Sequence, residues 1–277
     1  MRPLVSFLIP VYNEERYIGK CIDSLLVQTV TDFEVIIVDD GSTDNTQAIL
    51  KNYTDKRISV YRQNNSGRAH ARNTALHLSR GKYIGLQDAD DWSEPDRLER
   101  QLYLAEKAHG KPVVGSGLIL HFGGNVRAKT KRVPEENERI RKIMGRRLFR
   151  QAFNTFTMVS LRQKIIDVGG WRTKFKIAGE DGDLLSRLYE EKDVIFLNSP
   201  RPLYHYVLNE GSVTNKFRIT IPQQMFMRYC ERARRRGDNE PENYEEYRCI
   251  MNKGNSSKYF YNIEYFLRWL RLYFRKY

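Results

Sequence analysis

Tyr83-Ile84-Gly85-Leu86-Gln87-Asp88-Ala89-Asp90-Asp91 starts as an apolar, strand-forming run behind Gly81-Lys82 and stops abruptly in aspartates. The pattern predicts a buried strand that delivers carboxylates to its C-terminal end, the edge where open α/β sheets bind ligands. Crowded, buried carboxylates repel one another and are costly to desolvate. A hard divalent cation held by oxygen ligands relieves both penalties. An Asp-rich surface turn is the plainer alternative for this stretch taken alone.

Upstream, the same change of period recurs. Residues 5–11 are β-branched and apolar, and residues 14–27 then place Ile18, Ile22, Leu25 and Leu26 at helical spacing. Residues 33–38 read as a second buried strand, stopped by Asp39-Asp40-Gly41-Ser42, with Thr43 or Asp44 as cap of a helix over 45–53. A short strand over 58–62 and a helix over 68–79 lead into the strand that ends at Gln87. Near-continuous apolar strands alternating with helices predict a parallel sheet covered on both faces.

Downstream the pattern is less regular. A strand is expected over 112–120, a basic loop and helix up to 150, a strand over 156–161 and a helix over 163–167. A helix over 181–190 follows Gly169-Gly170-Trp171, then short strands over 194–197 and 203–207. Beyond Ile221, aromatics and arginines dominate, and two or three helices are expected.

Composition limits the class. The 277 residues include 40% hydrophobic ones, enough for a sizeable core. Cys21, Cys230 and Cys249 are few, odd in number and far apart, which argues against a disulfide scaffold or zinc ribbon and fits a reducing compartment. The first apolar run is too short for a signal-peptide core, and no stretch approaches a bilayer span, so a soluble or peripheral cytoplasmic protein is expected. The formal net charge is +13 and unevenly spread: residues 127–150 hold ten basic residues against three acidic ones. Such a cluster attracts phosphorylated substrates, anionic lipid or nucleic acid, or is simply a solvated face.

Acids stand at the ends of three separate elements: Asp39-Asp40, Asp88-Ala89-Asp90-Asp91 and Glu180-Asp181. With residues 5–14 (VSFLIPVYNE), Ile37-Val38-Asp39-Asp40-Gly41-Ser42-Thr43-Asp44, Ala71-Arg72-Asn73 and Gly179-Glu180-Asp181, the chain resembles the family 2 glycosyltransferases over about residues 4–215. The resemblance implies a GT-A (Rossmann-like) α/β fold with a mostly parallel central sheet. It divides the chain into a catalytic domain over 1–220, with a nucleotide-binding half (1–111) and an acceptor half (112–220), and a basic, aromatic helical extension over 221–277. The implied activity is metal-dependent, inverting transfer of a sugar from a nucleotide-sugar, with UDP favoured, to a hydroxyl of a glycan or lipid-linked glycan.

The same resemblance assigns roles. Pro10, Tyr12, Glu14, Asp39, Asp40, Arg68, Arg72, Asp88 and Ala89 would surround the donor. Tyr12 would offer a face to the base, and Asp40, or its neighbour Asp39, would accept the N3–H of uracil. Arg68 and Arg72, one helical turn apart, would reach base or diphosphate, unless they are merely solvated. Asp90 and Asp88 would hold Mn²⁺ or Mg²⁺, with Asp91 adding a water-mediated contact. Glu180 and Asp181 would be the catalytic acids, Asp181 as general base; a helix cap is the other reading, and the two are compatible. Trp171 matches an aromatic floor of the acceptor site but also suits a core. A third metal ligand of the family falls at positions that are here Val207 and Asn209, a departure from the pattern, and His205 would substitute for it at the ion.

Alternatives from other classes are weaker. A related nucleotidyltransferase carries a Gly-rich basic loop after the first strand, which residues 11–15 lack. Nucleic-acid binding would set three acidic strand ends against phosphates. In residues 259–277, Phe260, Ile263, Leu267, Leu270 and Phe274 form one apolar stripe beside Arg268, Arg271 and Arg275. A helix of this kind lies on an anionic membrane surface or docks on protein.

Overall fold

The computed structural model describes residues 2–122, 125–145, 152–176, 178–208 and 217–253. The first half is β1 (Val5–Val11), α1 (Ile18–Leu26), β2 (Phe33–Asp39), α2 (Thr46–Leu50), β3 (Ile58–Arg62), α3 (Arg68–Leu78), β4 (Tyr83–Leu86), β5 (Trp92–Ser93) and α4 (Arg97–Lys107). The second is β6 (Lys111–Phe122), β7 (Asn125–Lys131), α5 (Asn137–Gly145), a 3-10 turn (Thr155–Thr157), β8 (Val159–Leu161), α6 (Arg162–Asp167), α7 (Glu180–Glu190), β9 (Val194–Leu208), α8 (Phe217–Arg236) and α9 (Tyr244–Lys253).

One nine-stranded sheet has the order β3-β2-β1-β4-β8-β6-β9-β5, with β7 paired to β6. The strands β3, β2, β1 and β4 are mutually parallel. Because β8 is antiparallel to both β4 and β6, β6 regains the direction of β4, and β9 runs parallel to β6. Only β5, β7 and β8 oppose the rest, so the sheet is mostly parallel, as expected.

The continuous apolar strands are explained by two cores. Val5, Phe7, Ile9 and Val11 pack with Ile18, Ile22 and Leu25 of α1 on one face. Leu8, Ile36 and Val38 pack with Ala69, Ala75 and Leu76 of α3 on the other, together with Leu184, Leu185 and Leu188 of α7. A buried strand thus uses alternate residues on opposite faces. Each fully buried Leu or Ile contributes about 1.5–3 kcal/mol relative to an exposed one.

Several boundaries differ from expectation, among them α2, expected over 45–53 but spanning only Thr46–Leu50. The first helix starts at Ile18, because residues 14–17 form a turn tied to the loop after β2. Part of the basic middle stretch is the strand β7, which the polar sequence NVRAKTK conceals. Phe156 lies in the 3-10 turn, so β8 begins only at Val159. The two short strands over 194–207 are one strand, β9, which pairs with β6 in two registers: Ser199 faces Ser116 but Tyr204 faces Leu118. The bulge between them contains Pro202, which donates no ladder hydrogen bond.

Candidate active site

In the sheet, β2 lies on one side of β1 and β4 on the other, so the loops after β1 and β4 flank a switch point at the strands' C-terminal edge. The loop after β1 is stapled to the loop after β2. Asn13 takes a left-handed φ of 55°, donates its N–H to Ser42 Oγ (3.0 Å) and accepts Thr43 N–H (2.7 Å). Glu14 N–H donates to Thr46 Oγ1 (2.9 Å). Tyr12, 46% exposed, projects from this edge and is not a core aromatic, whereas Pro10 is buried in β1.

The neighbouring aspartates differ sharply. Asp40 Oδ1 accepts Gln63 Nε2 and Ser66 N–H, and its Oδ2 accepts Gly67 N–H, all at 2.8 Å. Asp40 therefore anchors the entry to α3. Asp39 is 1% exposed; Oδ1 accepts Ser42 N–H (2.8 Å), while Oδ2 has no hydrogen-bond partner. Of the two neighbours, Asp39 is the one with a carboxylate oxygen that accepts no hydrogen bond, and that oxygen lies 3.9 Å from Arg62 Nη1.

A buried cluster joins the other acids. Arg72, 1% exposed, donates to Asp88 Oδ1 (2.8 Å) and to Asp181 Oδ1, with Glu180 Oε1 3.6 Å away. Arg68 Nε donates to Glu180 Oε1 (2.7 Å). Neither arginine is a free surface cation; both brace the acids at the start of α7. Burial would raise the Asp181 carboxyl, but the charges of Arg72 and Arg68 outweigh it and hold Asp181 below the usual carboxylate range. For Glu180 burial prevails, and its carboxyl is raised.

Trp171 is 1% exposed within the core, and its Nε1 donates to Asp181 Oδ1 (3.2 Å). It presents no open ring to an acceptor sugar and instead orients the acid. Its backbone is clamped by Asn73: Nδ2 donates to Trp171 O (2.6 Å), and Oδ1 accepts Trp171 N–H (2.9 Å).

Beyond β4, Ala89 is buried and Asp91 is 0% exposed, with Oδ1 accepting Val207 N–H (2.8 Å). Asp91 Oδ1 thus ties the loop to β9, while its Oδ2 accepts no hydrogen bond. Burial and the Asp88 charge push the Asp90 carboxyl up to about 6. Burial, with the charges of Asp90, Asp44 and Asp88, pushes Glu14 up to about 8.

His205 lies elsewhere: Nε2 bonds to Glu94 Oε1 (2.6 Å), Nδ1 to His121 Nε2 (2.9 Å), and its ring stacks on Trp92. With both nitrogens engaged, it is withdrawn as a metal ligand. Among the described residues, no group of three or more His, Cys, Asp or Glu side chains converges as a preformed metal site. Asp88 and Asp90, acidic and mutually repelling, suit a cation held jointly with a diphosphate, since Mg²⁺ commonly takes only one or two protein carboxylates there.

Residues 6–169, more than half of the chain, match the sequence pattern of glycosyl transferase family 2. The chain belongs to that family. Among family 2 relatives, a chondroitin synthase of Escherichia coli is 50% identical over 99 residues, covering 35% of this chain and 14% of the relative. The putative glycosyltransferase EpsH of Bacillus subtilis (strain 168) is 28% identical over 275 residues, 92% of this chain and 78% of the relative. The chain spans only a minor part of several relatives it matches, such as the 14% of that chondroitin synthase. In fold, the chain resembles S. aureus TarS 1-349 in complex with UDP-GlcNAc, with a TM-score of 0.61 and 21% identity over 84% of this chain and 67% of that one. The architecture is accordingly GT-A.

Three further residues brace the site in ways the sequence does not announce. Asn73 closes the quoted motif, yet a clamp on a backbone 98 residues away has no local signal. Arg97, 0% exposed, donates to Gln87 Oε1, Leu86 O and Thr157 O and braces the end of β4. The buried Tyr204 hydroxyl accepts Asp88 N–H (3.0 Å). An arginine in an otherwise amphipathic helix and a tyrosine in a strand both read as ordinary.

Proposed function

We propose that this protein transfers a sugar from a nucleotide-sugar, with UDP as the nucleotide, to a hydroxyl of a glycan or lipid-linked glycan with inversion at the anomeric carbon. The observation that carries this reading is the convergence of Asp88 and Asp181, from distant elements, on the single buried guanidinium of Arg72. An acid at the donor-loop end and a second acid kept anionic beside it are what direct displacement requires. Asp181 takes the acceptor proton as the hydroxyl attacks, and Trp171 and Arg72 fix its direction.

Asp39 Oδ2 suits the N3–H of uracil, a donor that cytosine lacks, and Tyr12 offers its ring to the base. Asp90 and Asp88 would hold Mn²⁺ or Mg²⁺ beside the diphosphate, where the ion supplies charge neutralisation on the departing nucleotide. The family relationship and the UDP-GlcNAc complex of a structural neighbour support a nucleotide-sugar donor. Among the described residues, no helix is long and apolar enough to cross a membrane. A peripheral position on an anionic membrane, on the cytoplasmic side, suits a lipid-linked acceptor.

The test is release of UDP from UDP-N-acetylglucosamine and other UDP-sugars with Mn²⁺. Asp181→Asn keeps shape but removes the base, so turnover should fall by roughly 10²–10⁴ with UDP affinity nearly unchanged. Near-normal turnover in that variant rules Asp181 out as the base.

A further inference from the structure

The family match ends at residue 169, short of the acid pair Glu180-Asp181. Arg68 and Arg72 meet that pair from within the matched region, and the backbone turn that carries it packs on this chain's later elements. Gly179 precedes α7 and Gly182 lies in its first turn, and both meet one side chain of α8. A Cβ at Gly179 would lie 3.2 Å from Met227 Cβ and 3.5 Å from Phe175 Cδ1; one at Gly182 would lie 3.1 Å from Met227 Cε. Gly179 has a φ of +111°, which L side chains rarely adopt, so the backbone turn that launches Glu180 and Asp181 is special on its own account.

Independent contacts lock the same two elements together. Asp183, 1% exposed and one turn into α7, accepts Arg172 Nε (2.8 Å) and Arg187 Nε (2.9 Å), with Arg234 of α8 3.7 Å away. Arg234 also bonds Ser186 Oγ (3.1 Å) and Glu190 Oε2 (2.8 Å) of α7. On the far side, Glu240 accepts Arg172 (2.7 Å) and Lys174 (2.6 Å), so the segment between Trp171 and α7 is tied to the turn after α8. Phe175 and Phe226 pack at 5.1 Å between ring centres beside Tyr247 of α9.

We infer that α8 is the positioning element of the catalytic acids: Met227, wedged against both glycines, sets the turn from which Glu180 and Asp181 meet Arg68 and Arg72. Met227 is a positioning residue and touches neither substrate nor reacting atoms. The inference rests on the acid pair being catalytic only for its kinetic arm. Its structural arm stands alone.

Three variants of the full chain separate positioning from mere support. Met227→Ala opens the wedge, Met227→Leu refills it, and Gly182→Ala presses on Met227 Cε while improving helix propensity. Amide hydrogen exchange at residues 179–183 should quicken at least tenfold in Met227→Ala, return towards wild type in Met227→Leu, and leave β1, β2 and β4 unchanged. UDP release from UDP-N-acetylglucosamine with Mn²⁺ should lose about 10–100-fold in kcat for Met227→Ala with KM kept, because misplacement by about an ångström is enough to do this. Gly182→Ala should lose kcat without losing melting temperature. Unchanged exchange at 179–183 in Met227→Ala, or kcat that simply follows melting temperature through the three variants, overturns the inference. Changed exchange in an enzyme whose wild type releases no UDP upholds the positioning and sinks the proposed reaction instead.

Discussion

Adjacent aspartates of identical chemistry end in opposite situations because of what donates to them. Asp40 has three donors from the entry to α3, and Asp39 has one donor and one buried oxygen that accepts no hydrogen bond, with Arg62 Nη1 3.9 Å away. If Asp39 reads uracil, Asp39→Ala should weaken UDP by about 1–3 kcal/mol, the cost of leaving an imide N–H unpaired. Asp40→Ala should instead lower stability first, by freeing two backbone N–H groups. Calorimetry and melting curves of the two variants check this, and the reverse pattern returns the role to Asp40. The histidine pair gives a pH-dependent outcome. Burial lowers both His121 and His205 from the ordinary 6.5, aided at His121 by His205 and Lys20 and resisted at His205 by Glu94. Below pH 6.5 the unfolded chain then binds protons that the folded one refuses, so stability present above 6.5 is lost as pH falls. Melting temperature should drop between pH 7 and 5, and less steeply in the double variant His121→Gln/His205→Gln.

At the scale of elements, the turn after α6 depends on a glycine pressed on a side-chain clamp. Gly170 has a φ of +59°, and a Cβ there would lie 2.7 Å from Asn73 Oδ1. Gly170→Ala should displace Asn73 from the Trp171 backbone and cost about 1–3 kcal/mol in unfolding free energy, from strain and lost hydrogen bonds; chemical denaturation measures it. That the sequence revealed β1, β2 and β4 so clearly follows from their burial on both faces, which leaves only apolar residues permissible. It concealed β7 because NVRAKTK carries no such constraint, and it split β9 because the bulge at Pro202 interrupts the apolar pattern. The acids were legible as strand and helix ends. Their counter-charges were not, since Arg72 in a helix of mixed polarity looks solvent-facing until α7 is folded over it. The same limit applies to His205: proximity in sequence to a metal position said nothing of Glu94 and His121.

For the molecule as a whole, α9 adds Tyr244, Tyr247 and Met251 to the aromatic cluster of Phe175 and Phe226. The stripe expected over 259–277 lies outside the described residues. If that segment is the membrane-binding element, a chain ending at residue 253 should keep its melting temperature and UDP affinity but lose binding to anionic liposomes. Flotation of both forms with phosphatidylserine vesicles decides, and equal binding by the two dismisses the segment as the anchor.

The pairing of Arg68, Arg72 and Asn73 with Glu180, Asp181 and Trp171 has a bearing on how such enzymes can be recombined. Every one of these contacts crosses a cut placed between residues 111 and 112, with the cations and the clamp on one side and the acids and the indole on the other. A hybrid that joins residues 1–111 of this chain to the later part of a relative assembles this cluster from two parents. The cluster re-forms only where the relative's arginines and asparagine stood at the same places, so swapping parts is limited by agreement across this seam rather than by either part's own fold.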